Sequence, residues 1–232
     1  AGIYLSEYMI YLSLIAIIYI SFVAYAQEDM KKLIAYSSVA HMGFVTLGIF
    51  LVFNLLDSNT SAAIIGLEGA MVQMISHGLI SAALFFCIGI IYKHSKSRLL
   101  KDNYGVSKFM PIFSFMMIFF LMANSGLPGT SGFVGEFLVI TSSLGSSFLF
   151  GFLAATSLLL SASYSLKMGK TVLFGDNLKN TQGYIECSFN EKIVLTILII
   201  FILYLGIVPD YLFKIIDQSV IGIVESLSAG KI

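Results

Sequence analysis

Residues 109–166 read FMPIFSFMMIFFLMANSGLPGTSGFVGEFLVITSSLGSSFLFGFLAATSLLLSASYSL, an apolar run far too long for one membrane-crossing helix. A crossing takes about 20 mostly apolar residues to cover about 30 Å of hydrocarbon at about 1.5 Å per residue. Outward from this run, residues 8–27, 33–54, 62–92 and 193–208 also qualify. Charge settles how many crossings the long run holds. Basic residues gather in three places: Lys31 and Lys32; Lys93, Lys96, Arg98, Lys101 and Lys108; Lys167, Lys170, Lys179 and Lys192. The connections at 54–61 and 144–147, and the residues before Tyr8, contain no Lys or Arg. Basic loops share one side of a membrane, so an even number of crossings separates each cluster from the next. The run at 109–166 therefore holds two crossings, and the chain is predicted to be an all-α integral membrane protein with six transmembrane helices.

One of the six is discontinuous. Broken near Gly145, the long run leaves a first crossing of about 33 residues, about 50 Å as a straight helix. Its middle is Asn124-Ser-Gly-Leu-Pro-Gly-Thr-Ser-Gly132. Pro128, Gly129 and Gly132 in mid-segment predict a helix break. Irregular backbone at that depth is tolerated only where it is buried in protein or lines a wet cavity.

Composition narrows the function classes. The chain is 58% hydrophobic and 11% charged, with a mean hydropathy of +0.93, which excludes an ordinary soluble domain. Thirteen basic residues balance thirteen acidic ones, so no nucleic-acid partner is indicated. Cys87 and Cys187, a hundred residues apart, fit no metal or redox spacing and are read as structural. There is no phosphate-binding glycine loop, no metal-ligand spacing and no cofactor-binding pattern. The tail, residues 210–232, alternates apolar and polar positions at helical spacing, which predicts an interfacial or partner-facing helix.

Three ionisable residues fall at depth: His41, His77 and Glu136. Each costs on the order of 3 kcal/mol there on insertion scales, and each is flanked by small or hydroxyl residues that leave room for close helices and water. Imidazole titrates near pH 6.5 and a desolvated carboxyl alternates between neutral and charged forms, so the trio reads as a proton relay. Ser38, Ser76, Thr130, Ser131 and Thr141 are candidate water-holding hydroxyls by proximity. Glu68 lies about 14 Å along its helix from His77 and is read as interfacial.

The runs from Gln27 to Phe44 through His41, from Gly69 to Gly78 through His77, and from Leu127 to Phe137 through Glu136 resemble the antiporter-like subunits of NADH:ubiquinone oxidoreductase, respiratory complex I. The tract from Tyr92 to Arg98, and Glu136 where sister subunits carry Lys, are similar to the chain 4 type. The resemblance extends from about Gln27 to Pro209. It implies helices nine to fourteen of a fourteen-helix fold. Residues 1–170 would form the second inverted five-helix repeat, and residues 171–232 a loop, the last transmembrane helix and the amphipathic tail. It further implies a proton-translocating membrane-arm subunit, with FMN, iron–sulfur clusters and ubiquinone elsewhere in the complex and none in this chain. Implied partners are the N-terminal half of the same subunit, expected as a separate chain given the start at Ala1, with a fragment of one longer chain as the alternative, the neighbouring antiporter-like subunits 2 and 5, and the lipid bilayer. The implied location, supported by a Trp-free, Phe- and Ile-rich composition, is the mitochondrial inner membrane with the lysine-rich loops on the matrix side. An Mrp-type cation/proton antiporter subunit and a structural membrane scaffold are the rival expectations.

Overall fold

The computed structural model describes residues 2–175 and 184–230; Ala1 and Lys179 of the sequence reading lie outside them. Among the described residues eight α-helices run in chain order: α1 (Gly2–Ala26), α2 (Met30–Leu55), α3 (Thr60–Ser95), α4 (Pro111–Asn124), α5 (Ser131–Ser146), α6 (Phe148–Phe174), α7 (Phe189–Ile207) and α8 (Asp210–Ser228). Five of them, α1, α2, α3, α6 and α7, are long and apolar enough to cross a membrane. At about 21 and 24 Å, α4 and α5 are each shorter than the hydrocarbon layer, and the sixth candidate crossing is the bent pair of the turn at Leu100–Lys108 with α4. The helix stops at Asn124 and restarts at Ser131, inside the predicted break. A short turn at Leu100–Lys108 leads into α4 at 119°.

Local chemistry sets the helix ends. Asp29 caps α2 by accepting from the N–H groups of Lys31 and Lys32 at 2.8 and 3.1 Å. Asn59 caps α3, which runs 36 residues to a left-handed Lys96. Ser188 and Glu191 form a reciprocal capping box at α7. Pro111 opens α4, where its missing N–H costs nothing. The next two N–H groups, of Ile112 and Phe113, donate to the Glu186 carboxylate at 2.9 and 3.2 Å.

The described members of the three basic clusters lie at one end of the bundle, and their loops are tied together. Met30 donates its N–H to Arg98 O and Leu100 to Glu28 O. Ser107 donates to Leu173 O, and Lys93 pairs with Glu191 at 3.3 Å. Lys167 donates to the carbonyls of Tyr25 and Gln27 where α1 ends, at 2.6 and 3.3 Å.

Packing around α3 positions everything else, since α2, α5 and α8 all lie against it. The approach of α5 is close because Gly135 has no side chain: a Cβ there would lie 2.7 Å from the backbone nitrogen of Gln73. The amphipathic tail helix α8 lies on the chain's own α3, with Ile216 and Val220 buried around Val72. Its opposite edge is exposed through Tyr211, Ile215 and Ile223. Cys87 and Cys187 are both free and buried.

Two outcomes follow. Gly135→Ala forces α3 and α5 apart and lowers stability by about 1–3 kcal/mol, the usual cost of overpacking, measured as a fall in the thermal midpoint in detergent. Burial works against ionisation of Glu186, but the N–H groups of Ile112, Cys187 and Phe113 and the Cys187 thiol outweigh it and hold its pKa below the usual carboxylate value. A depressed folded pKa gives stability that is present above the unfolded pKa and lost as pH falls through the folded one. Thermal melts should therefore lose stability on acidification below the carboxylate's ordinary 4.5. Glu186→Gln should remove that part of the acid dependence.

Candidate functional site

The break between α4 and α5 delivers Glu136 to the interior. Five residues into α5, its carboxyl points between α2, α3 and α6 and is 2% exposed. His41 meets it from α2: Nδ1 lies 2.7 Å from Oε1 of Glu136. The other ring nitrogen, Nε2, faces the Tyr164 hydroxyl of α6 at 3.1 Å. From α3, the Gln73 amide donates to the same Glu136 Oε1 at 3.3 Å. His77, one turn further along α3, places its ring 5.3 Å from that of His41. His41 is about 17 Å along α2 from Met30 and Glu136 about 15 Å along α5 from Ser146, so the pair sits near half-depth.

This arrangement can hold and move a proton. A lone buried carboxylate is costly, but a carboxyl and an imidazole that share a proton keep a net-neutral state in which either partner carries it. Glu136 Oε2 and Gln73 Oε1 are buried without a hydrogen-bond partner among the described residues. The backbone turn at Gly126, with φ +75°, lies against this open oxygen: a Cβ there would be 3.1 Å from Oε2. Gly129 is also left-handed, at φ +91°, and faces open space.

The sequence candidates are distributed unevenly. His41, His77 and Glu136 converge. Ser76 donates to Ser131 O at 3.0 Å and ties α3 to the start of α5, while Ser131's own hydroxyl is buried without a partner among the described residues. Thr130 donates to Leu127 O within the break, beside Pro128, and Ser38 donates to Ile34 O on its own helix. Gly132 lets α5 pass α4: a Cβ there would be 2.9 Å from Ala123 O. Thr141 is exposed and donates to Phe137 O, because five residues beyond Glu136 is about 140° around the helix. Glu68 is half-buried and lies beside Asp217 of α8. Gln73, Tyr164 and Asn124 are additions from the structure. Gln73 was discoverable as the residue one helical turn before His77; Tyr164 carries no local signal.

The family model for NADH:quinone oxidoreductase/Mrp antiporter transmembrane segments matches residues 1–161. The chain belongs to this family. The NADH-quinone oxidoreductase subunit M of Rhodobacter capsulatus is 42% identical over 97% of this chain and 42% of its own length. The NADH-ubiquinone oxidoreductase chain 4 of Marchantia polymorpha is 39% identical over 97% of this chain and 44% of its own. The chain thus spans less than half the length of these relatives. Among solved structures, a chain of respiratory complex I from Thermus thermophilus superposes with a TM-score of 0.85 at 23% identity, over 98% of this chain and 45% of that one. A chain of the Mrp complex of a Dietzia strain superposes with a TM-score of 0.82 at 16% identity, over 97% of this chain and 48% of that one. At these identities the structural likeness establishes the fold, a multi-pass helical membrane bundle.

Gly126→Ala and Gly129→Ala both force a side chain into the left-handed region, at roughly 1–2 kcal/mol each. Only the former also crowds Glu136. Infrared difference spectroscopy of the carboxyl C=O stretch should therefore shift in Gly126→Ala and stay unchanged in Gly129→Ala.

Proposed function

We propose that this chain supplies half of an intramembrane proton path in the membrane arm of an NADH:ubiquinone oxidoreductase, as the second-repeat half (residues 1–170) and tail of its chain 4 subunit. The observation that carries this reading is the buried Glu136–His41 hydrogen bond of 2.7 Å beside a helix break at half-depth. Protonation of Glu136 and release through His41 make the pair a loading site for one proton at a time. The relatives named NADH-quinone oxidoreductase subunit M and NADH-ubiquinone oxidoreductase chain 4 support the assignment to that complex.

The relatives are more than twice as long, and on this reading the remaining helices of the path are those of the N-terminal half of the subunit. Subunits 2 and 5 of the antiporter-like set are its neighbours, in a mitochondrial inner membrane with the lysine-bearing loops on the matrix side. Two cysteines in 232 residues offer no four-thiolate donor set. On this reading iron–sulfur clusters, FMN and ubiquinone belong to other chains of the complex, and this chain's part is proton movement driven by their redox reaction. The matching family model takes in Mrp antiporters as well, which supports the rival antiporter reading. Purification of the native complex separates the two: flavin and iron–sulfur subunits accompany the chain on the first reading only.

Glu136→Gln keeps the size and most of the hydrogen bonds but cannot release a proton. With the complex assembled, proton pumping by inverted vesicles oxidising NADH should fall about tenfold or more, since a positioned proton-transfer group contributes ~100-fold or more where it is the sole path. Unchanged pumping would leave the chain as a structural scaffold.

A further inference from the structure

The lysine-bearing end of the bundle holds a cavity of about 1020 Å³, between the ends of α1 and α6, the middle of α4 and the loop that follows α3. Lys170 and Thr171, about one turn from the end of α6, line it together with Tyr104, and Ile118, Leu121 and Met122 of α4 form its apolar side. No lining residue is acidic, and neither Lys167 nor Lys170 meets a carboxylate among the described residues. Lys167 donates to the carbonyls of Tyr25 and Gln27, which satisfies the ammonium without neutralising it. Lys170 is exposed and has no partner among the described residues. Going inward from Lys170, the same face of α6 carries the exposed side chains of Leu166 and Leu159. Both lie within about 40° of Lys170 around the helix, and Leu159 is about 16 Å along it. That is the depth of one leaflet's hydrocarbon, half of ~30 Å.

A cation at the membrane surface, above an apolar track one leaflet long and beside a concave wall, has the proportions of a single amphiphile. We infer that this cavity binds an anionic phospholipid of the lysine-side leaflet, with its phosphate on Lys170, Lys167 behind it, and an acyl chain along Leu166 and Leu159. Basic pockets between membrane helices take such headgroups, and each nearby lysine is worth about fivefold in binding. Thr171 and Tyr104 supply neutral donors at the same rim. The Tyr104 ring lies against the end of α6 because Gly175 has no side chain to collide with it. A helix of another chain would fill the apolar side but would have to bring its own acid to two unneutralised lysines. A phospholipid carries that charge at the level where the lysines stand. The inference needs only that the chain spans a membrane, and it stands apart from the proton path. Bound there, the lipid neutralises the lysine that joins α6 to α1 and fills the gap between α1, α4 and α6.

The test uses the native complex that contains this chain, reconstituted in phosphatidylcholine vesicles with a trace of phosphatidylglycerol bearing a photoreactive diazirine at one acyl end. Adducts are expected within residues 118–122 and 159–171, displaced by unlabelled phosphatidylglycerol but not by millimolar inorganic phosphate. A matched phosphatidylcholine probe should label these segments several-fold less. Lys170→Gln is expected to lower the adduct yield about fivefold, and Lys170→Arg to keep it. Lys101→Gln, at an exposed cation of the same end outside the cavity, should leave it unchanged. Equal labelling by the two probes, an unchanged yield in Lys170→Gln, or an equal loss in Lys101→Gln reduces the cavity to boundary lipid gathered by the basic surface and overturns the proposal. Competition by phosphate marks a soluble-anion site and overturns it too. So does the absence of adducts on both segments, which marks a protein helix seated in the cavity.

Discussion

A carboxyl group cannot rest at half-depth in a membrane protein without a partner that shares its charge, and the 2.7 Å contact between Glu136 and His41 supplies that partner. Much of the bundle is arranged around it. The α4–α5 break lets α5 start within the membrane and carry Glu136 inward. Gly135 lets α5 come close enough to α3 for Gln73 to reach the same oxygen. The long α3 then brings His77 beside His41 and seats α8 at its far end. A side chain at Gly135 would disturb the site through the helix spacing, without touching the acid.

The fold was readable because each crossing carries its own signal. The apolar window 33–54 became α2 at Met30–Leu55, and Pro128 with its glycines marked the break that separates α4 from α5. Ends were harder: α3 outruns its apolar window because Asn59 and Lys96 cap it beyond the hydrocarbon-like residues. The tail's moment was legible, but its docking face was not, since an amphipathic helix fits a membrane surface and a neighbouring helix equally well.

For the site, depth and residue type pointed to His41, His77 and Glu136 one at a time. Their convergence depended on contacts between residues 95 apart in the chain, which no local pattern encodes. Tyr164 shows the limit well: in a run rich in Ser and Leu it reads as one more aromatic filler, and only the position of its hydroxyl against Nε2 sets it apart. Thr141 shows the converse, a residue near Glu136 in sequence that helical rotation turns to the outside.

The half-depth position of the break has an electrical consequence. A proton that reaches the Glu136–His41 pair from either face crosses about half of the membrane's field, worth about 1 kcal/mol per 100 mV. Occupancy of the pair is therefore set by voltage as well as by the proton concentrations on the two sides. A crossing helix that breaks in its middle, rather than near one surface, makes its acid feel both faces in nearly equal measure. An energised membrane then biases which face loads it.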